Sequence, residues 1–181
     1  MTPPRIWVVD YAPAWPLRFD ALHAKLWPDL SDHALALEHV GSTSVPGLAA
    51  KPIVDAAIVV EDVSDLSGVI AALAKHGYVH RGDLGVPGRE AFRPPPDTLK
   101  HHLYACVRDN LGLRNYLALR QALRNNDRLV AEYGDLKREL AERFPHDIDA
   151  YIAGKTEFIL SVLRDAGFAD EDLAAIRAIN T

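Results

Sequence analysis

The stretch from residue 38 to residue 60, EHVGSTSVPGLAAKPIVDAAIVV, decides how the rest of the chain is organised. Two apolar runs bracket a short polar loop here, and both predict strands: Ala34 to Val40 enters the loop and Ile53 to Val60 leaves it. Glycines and hydroxyl residues fill the loop from Gly41 to Gly47. Glycine lets other groups approach the backbone closely, and successive free N–H groups and hydroxyls can bind anionic oxygens. The sequence therefore predicts a strand, loop and strand unit that carries the chemistry.

Asp55 lies on the predicted exit strand between apolar neighbours. A carboxylate in a buried strand costs free energy unless it is paired, hydrogen-bonded or metal-bound. An ordinary turn followed by a hydrogen-bonded core carboxylate is the alternative interpretation. The loop lacks the Gly-Lys-Ser/Thr ending of a Walker A motif and the Gly-x-Gly-x-x-Gly of a dinucleotide fingerprint, so those two nucleotide-binding classes are not supported.

The unbroken run from Glu38 to Asp55 resembles the signature of the GrpB family, which carries Gly-Ser-Thr-Ser-Val-Pro-Gly-Leu, then Ala-Lys-Pro and a strand with an aspartate. That family is grouped with the nucleotidyltransferase superfamily, whose pattern is a hydrophobic residue, Gly-Ser, a spacer and Asp-x-Asp/Glu. Four residues of this chain fill the pattern: Val40, Gly41, Ser42 and Asp55. Ala57 stands where the second acid is expected. Because a two-metal transfer site normally uses several carboxylates, the resemblance implies an incomplete acidic set.

Length and composition favour one domain over residues 1–181, because 181 residues that are 49% hydrophobic suffice for one good core. The resemblance covers nearly the whole chain and implies an α+β fold of the nucleotidyltransferase type. We expect a small mixed sheet of four or five strands packed by helices, with a helical C-terminal portion over about residues 112–181. The formal net charge is −5 and the basic residues are not run together, so nucleic acid is not indicated as a partner.

Cys106 is the single cysteine, which excludes an internal disulfide and a Cys/His zinc framework and indicates a reducing compartment. The N-terminal sequence lacks the apolar core of a signal peptide, and no apolar run approaches the roughly 20 residues that span a bilayer. We therefore expect a cytoplasmic protein with no membrane partner.

Several further elements follow from local signals. Ile6 to Val9 predicts a short strand, and Ser64 is a plausible N-cap for a helix that ends near His76. Residues 82–96 contain so many glycines and prolines that we expect no regular element there. Pro145 is expected to open a helix at its first turn.

The run from Lys100 to Val107, KHHLYACV, alternates and predicts a strand with His102, Tyr104 and Cys106 on one face. It resembles the second GrpB signature, His-His-Leu-His/Tyr, which implies that His102 lies near Asp55. A structural, hydrogen-bonding histidine is the alternative. The resulting catalytic and metal-binding candidates are three: Asp55, Glu38 and His102.

The C-terminal helices carry basic residues at helical spacing, with Arg120, Arg124 and Arg128 recurring every four residues. They form either a solvated face or a phosphate clamp, because arginine binds phosphate oxygens bidentately. Lys137 and Lys155 either reach the cleft as point charges or snorkel from the core edge. Eight residues are the phosphate-binding candidates: Gly41, Ser42, Thr43, Ser44, Lys51, Arg120, Arg124 and Lys155.

Three functions are compatible with these residues. The first is metal-dependent nucleotidyl or phosphoryl transfer from a nucleotide, with Mg²⁺, Mn²⁺ or Zn²⁺ as cofactor, to an acceptor that the sequence does not name. The second is a non-catalytic nucleotide-binding or phosphate-binding accessory module, as in relatives fused to dephospho-CoA kinase, that has lost part of the metal site. The third is a scaffold without a small ligand. The expected partner is thus a nucleotide or phosphorylated small molecule; enzymatic activity and oligomeric state stay open.

Overall fold

A five-stranded mixed sheet forms the centre of the structure, a computed structural model that describes residues 3–179. The strands are β1 (Ala36–Val40), β2 (Val54–Val60), β3 (Val79–His80), β4 (Arg89–Arg93) and β5 (His101–Val107). They lie in the order β1-β2-β5-β4-β3. The central pair, β2 and β5, is parallel, and the other neighbours are antiparallel. The β-branched composition of β2 suits this central position, because a strand covered on both faces is apolar almost throughout.

Six helices surround the sheet: α1 (Ala14–Leu30), α2 (Leu66–Lys75), α3 (Leu111–Arg124), α4 (Asp127–Arg143), α5 (Ile148–Asp165) and α6 (Asp170–Ile179). Helices α1 and α2 cover one face, where Leu26 and Leu73 pack with Ile58 and Leu103. Helix α3 covers the other face, the one that also carries Asp55 and His102. Among residues 3–179, no helix is long and apolar enough to cross a membrane.

The helical half is fastened to the loop that follows β1. Val45 and Leu48 of that loop pack against Leu123 of α3 and Tyr133 of α4. The N-terminal segment adds a second attachment, since Val9 pairs with Ala50 through two backbone hydrogen bonds of 2.9 Å. Helices α3 to α5 are therefore held over the end of the sheet where β2 begins and Asp55 lies.

The strands on either side of the loop confirm the prediction to within two residues at each end. Strand β5 is also confirmed, with His102, Tyr104 and Cys106 on the face toward α3. The N-terminal strand is not: Val9 makes an isolated bridge, and Ile6 N–H donates to the carbonyl of Pro145 instead.

Three other local predictions were wrong. Residues 82–96 contain strand β4, which pairs antiparallel with β5 despite the surrounding glycines and prolines. Helix α5 begins at Ile148, because the Asp147 carboxylate accepts the N–H of Ala150 and caps it there. Helix α2 is preceded by a 3-10 turn that Asp62, rather than Ser64, caps.

Candidate functional site

The loop after β1 turns tightly beside Asp55. Gly41 has φ of +68°, and a Cβ at this position would overlap the Asp55 carboxyl and lie 2.9 Å from its Cβ. Residues Ser42–Ser44 then form one 3-10 turn, in which the Ser44 hydroxyl donates to the Gly41 carbonyl over 2.6 Å. Glycine is therefore required at residue 41, because the backbone is left-handed there and the carboxylate leaves no room for a side chain.

Asp55 and His102 are adjacent on the central parallel strands, and their side chains are joined. His102 Nδ1 donates to Asp55 Oδ1 over 2.7 Å, and the two side chains are 49% and 29% exposed. The pair thus lies at the surface of a cleft and is reachable by a ligand. The predicted proximity of these two residues is present in the structure.

Glu38 takes a different partner. Arg120 Nη1 donates to Glu38 Oε2 over 2.8 Å and to the carbonyl of His39 over 2.7 Å. Within residues 3–179, no three His, Cys, Asp or Glu side chains come together as a metal-binding group. Of the three predicted metal ligands, the structure therefore brings Asp55 and His102 together and ties Glu38 to an arginine.

Arg124 of α3 fixes the backbone of the loop that follows β1. Its Nε and Nη2 donate to the carbonyl of Ser44 over 3.0 and 2.6 Å. Arg128 belongs to α4, not α3, and donates to Glu132 on an exposed surface. The predicted stripe of arginines is thus divided between two helices, and Arg120 and Arg124 direct donors at protein oxygens.

Replacing Arg124 by methionine is expected to lower the free energy of unfolding by about 1–3 kcal/mol, because the Ser44 carbonyl would lose both donors. Urea unfolding measures this loss. Arg128→Met, on an exposed ion pair, is the control and should change stability by less than about 1 kcal/mol. If Arg124→Met kept its stability but failed to bind polyphosphate, Arg124 would instead be identified as a direct phosphate ligand.

Three lysines line the cleft beside the same loop: Lys51, Lys137 of α4 and Lys155 of α5. Lys137 Nζ donates to the Ser42 hydroxyl over 3.0 Å, and only 2% of Lys137 is exposed. Lys51 and Lys155 place their ammonium groups 5.6 and 4.6 Å from the centre of the Tyr151 ring. None of the three forms an ion pair with a carboxylate among residues 3–179.

The environment of these amines disfavours their charge. Burial, with repulsion from Lys155 and Arg138, lowers the pKa of Lys137 to about 6. Burial, with repulsion from Lys51, lowers the pKa of Lys155 to about 8. Burial also lowers the pKa of Lys51, and Asp55 opposes the shift in all three lysines. One carboxylate therefore faces three crowded amines.

Thr43 and Ser44, both predicted phosphate ligands, are buried and already bonded. Thr43 Oγ1 shares a hydrogen bond of 3.0 Å with His39 Nε2, and burial lowers the pKa of His39 to about 4. Ser44 donates to Gly41 within the turn. The Ser42 hydroxyl lines the cleft together with Lys51 and Lys155.

The cleft has two parts, which meet at Ser42, Asp55 and Lys155. The lysine lobe is a cavity of about 190 Å³ that also contacts Lys51, His102, Lys137 and Tyr151. The aromatic lobe is a cavity of about 220 Å³ that also contacts Tyr104, Asn115, Tyr116, Leu119 and Ile159. The lysine lobe is thus cationic, and the aromatic lobe combines rings and aliphatic chains with the Arg120 side chain.

Comparison with known proteins decides the family. A sequence model described as "GrpB protein" matches residues 5–165. The chain belongs to the GrpB family. It is 31% identical over 162 residues to the UPF0157 protein YqkA of Bacillus subtilis, covering 90% of this chain and 47% of that protein. It thus spans about half the length of that relative.

Two other relatives differ in how much of their length is matched. The UPF0157 protein BH1888 of Halalkalibacterium halodurans is 32% identical over 164 residues, with 89% of this chain and 82% of that protein covered. A dephospho-CoA kinase of Mycolicibacterium paratuberculosis is 25% identical over 179 residues, with 85% of this chain and 44% of that protein covered.

Solved structures agree with the family and show the fold. The crystal structure of the conserved protein GrpB from Enterococcus faecalis matches with a TM-score of 0.79 at 36% identity, covering 88% of this chain and 96% of that chain. A structure of the Cid1 poly(U) polymerase with MgGTP bound matches with a TM-score of 0.53 at 15% identity. The match covers 75% of this chain and 45% of the polymerase chain. This family member therefore has the predicted nucleotidyltransferase-like fold.

Lys137 is the site residue that sequence reasoning undervalued. It is absent from the phosphate-binding candidates, although it is the most buried of the three lysines in the cleft. The signal was its position: Lys137 lies between Tyr133 and Leu140 on the apolar stripe of α4, where a lysine is unusual.

Proposed function

We propose that this GrpB family member binds a nucleotide or another phosphorylated small molecule in the cleft beside Ser42. The observation that carries the proposal is the cluster of Lys51, Lys137 and Lys155 facing one carboxylate, Asp55. Burying amines without counter-ions costs free energy, and the amines respond by lowered pKa values. A polyanion in the lysine lobe would supply the missing negative charge and so bind selectively.

Each group has a distinct part in this proposal. Lys137 and Lys155 bind phosphate oxygens at the buried end of the lysine lobe, and Ser42 donates its hydroxyl next to them. Lys51, whose ammonium is also near the Tyr151 ring, binds phosphate oxygens in the same lobe. Arg120 and Arg124 do not contact the phosphates in this proposal; they hold strand β1 and the loop in place.

We extend the proposal to metal-dependent transfer of a nucleotidyl or phosphoryl group. Asp55 and His102 would hold a divalent ion whose other ligands are phosphate oxygens, and the ion would neutralise charge on the phosphates. The mixed oxygen and nitrogen donors suit Mn²⁺ or Zn²⁺ as well as Mg²⁺. Glu38 pairs with Ala57 across β1 and β2, so it lies beside the position of the second acid.

A non-catalytic binding module is the second candidate, and the engagement of Glu38 by Arg120 supports it. Ala57 is fully buried in the core, and among residues 3–179 the cleft pairs one acid with one histidine. The similarity to part of a dephospho-CoA kinase is compatible with an accessory role.

Thermal unfolding with tripolyphosphate and four nucleoside triphosphates tests binding, each with and without Mg²⁺, Mn²⁺ and Zn²⁺. A ligand at 100 times its Kd stabilises by about 2.7 kcal/mol, which raises the Tm by roughly 5 °C or more. Sodium sulfate at matched ionic strength controls for general salt effects. No shift with any polyphosphate would overturn the proposed function.

Replacing Asp55 by asparagine separates the two candidates. For a metal-dependent transferase, the variant should lose the metal-induced gain in nucleotide affinity and lose transfer. Its metal-free affinity for tripolyphosphate should be equal or higher, because a carboxylate that repels phosphate is gone. Isothermal calorimetry and a transfer assay provide the measurements. Equal affinity for both proteins with and without metal would favour the binding module.

A further inference from the structure

We propose that the aromatic lobe receives a flat, hydrogen-bonding ring of the nucleobase type, joined to the phosphates that the lysine lobe binds. This inference rests on the proposed function and names the kind of ligand. The two lobes share Ser42, Asp55 and Lys155, so one compound can occupy both. Together they reach the size of small-molecule sites, roughly 300–1,000 Å³.

The first observation is a pair of fixed aromatic walls. The rings of Tyr104 and Tyr116 are 6.0 Å apart at an angle of 32°. Arg89 holds both, because its Nη1 donates to the Tyr116 hydroxyl over 2.9 Å and its guanidinium lies 4.7 Å from the centre of the Tyr104 ring. A rigid aromatic surface binds flat rings by stacking at little cost in conformational entropy.

The second observation is polar groups that lack partners. The Asn115 amide lines the aromatic lobe, and its oxygen is buried without a hydrogen bond to any residue in the range 3–179. Arg120, which also lines the lobe, has its Nε buried without a hydrogen-bond partner in the same range. Rotation of the Asn115 amide presents either its oxygen or its nitrogen to a ligand, so it can pair with the edge of a ring.

The third observation is an aliphatic part of the wall, formed by Leu119, Leu123 and Ile159 beside the polar groups of the lobe. A polyol or a peptide would place donors and acceptors against these three aliphatic side chains, and unpaired buried polar groups weaken binding. A heterocyclic ring has two apolar faces and a few polar edge atoms, which matches this distribution.

Calorimetry on the full chain with tripolyphosphate and the four nucleoside triphosphates is the test. We expect the best nucleotide to bind at least tenfold more tightly than tripolyphosphate. Leu119→Trp, which fills the aromatic lobe, should remove that advantage and leave tripolyphosphate binding unchanged within twofold. Leu17→Trp, on the exposed surface of α1, is the matched control and should keep the advantage.

Asn115→Leu is a second variant of similar volume, which keeps the result decisive should the tryptophan variant not fold. It should reduce the preference among the four bases to within twofold. Equal binding of tripolyphosphate and every nucleotide to the native protein would overturn the nucleobase inference and leave the phosphate site intact. Failure of tripolyphosphate and all four nucleotides to bind would overturn the proposed function and the inference together.

Discussion

Replacing Gly41 by alanine is expected to lower the free energy of unfolding by about 3 kcal/mol and to abolish polyphosphate binding. The backbone at Gly41 has φ of +68°, which costs an L-residue roughly 1–2 kcal/mol. The new Cβ would also meet the Asp55 carboxyl group, whose Cβ and Cγ lie 2.9 Å away. Because Asp55 is fixed to His102 and to the central strand, the loop must move instead.

Urea unfolding of Gly41→Ala is best compared with Gly167→Ala. Gly167 follows α5 with φ of +89°, and a Cβ there would meet nothing within 4 Å. Its loss of stability measures the conformational cost alone, about 1–2 kcal/mol. The difference between the two variants measures the close approach to Asp55. Equal losses would show that Asp55 yields and that the loop is less tightly held than its contacts indicate.

Replacing Lys137 by methionine is expected to change stability and binding in opposite directions. Stability should rise by about 1–2 kcal/mol, because a buried amine repelled by Lys155 and Arg138 is exchanged for an apolar chain of similar length. Affinity for tripolyphosphate should fall roughly 10- to 100-fold, because the most buried of the proposed phosphate ligands is removed. Calorimetry and urea unfolding measure the two effects, and Lys75→Met, on an exposed part of α2, should change neither.

The pH dependence supplies an independent check on Lys137. Its pKa falls from 10.5 to about 6 on folding, so the unfolded chain binds more protons between those values. The contribution of Lys137 to stability therefore rises with pH across this interval, and Lys137→Met should flatten the rise. Polyphosphate binding should take up protons at pH 7–8 and weaken as pH increases. Proton release on binding would contradict the assignment.

Period-two patterning predicted which residues of β5 share a face: His102, Tyr104 and Cys106. The nearness of His102 to Asp55 was implied by the family resemblance, and the parallel register of β2 and β5 accounts for it in the structure. The break between α3 and α4 was not predicted, because Arg120, Arg124 and Arg128 keep a four-residue spacing across Asn125 and Asn126. The Asn126 side chain accepts N–H groups of Arg128 and Leu129 and starts a new helix there.

The helical wall of the site was not predictable from local sequence. Lys137 and Ser42 are 95 residues apart, and their contact depends on how α4 packs over the loop. Spacing on one helix gives the face that a residue shares, not the distance to another element. Arg120 and Arg124 were predicted as phosphate ligands from their spacing. In the structure they donate to the carbonyls of His39 and Ser44, and tertiary packing alone decides these partners.

The parallel pairing of β2 and β5 has a consequence for synthesis on the ribosome. Asp55 precedes its partner His102 by 47 residues, an interval that translation at roughly 5–20 residues per second takes several seconds to cover. Until β5 emerges, Val54–Val60 has a neighbour on its β1 side only, and its open edge offers backbone groups to other chains. While residues 61–100 are being made, the nascent chain therefore exposes this strand edge, with which a second unfolded chain can pair.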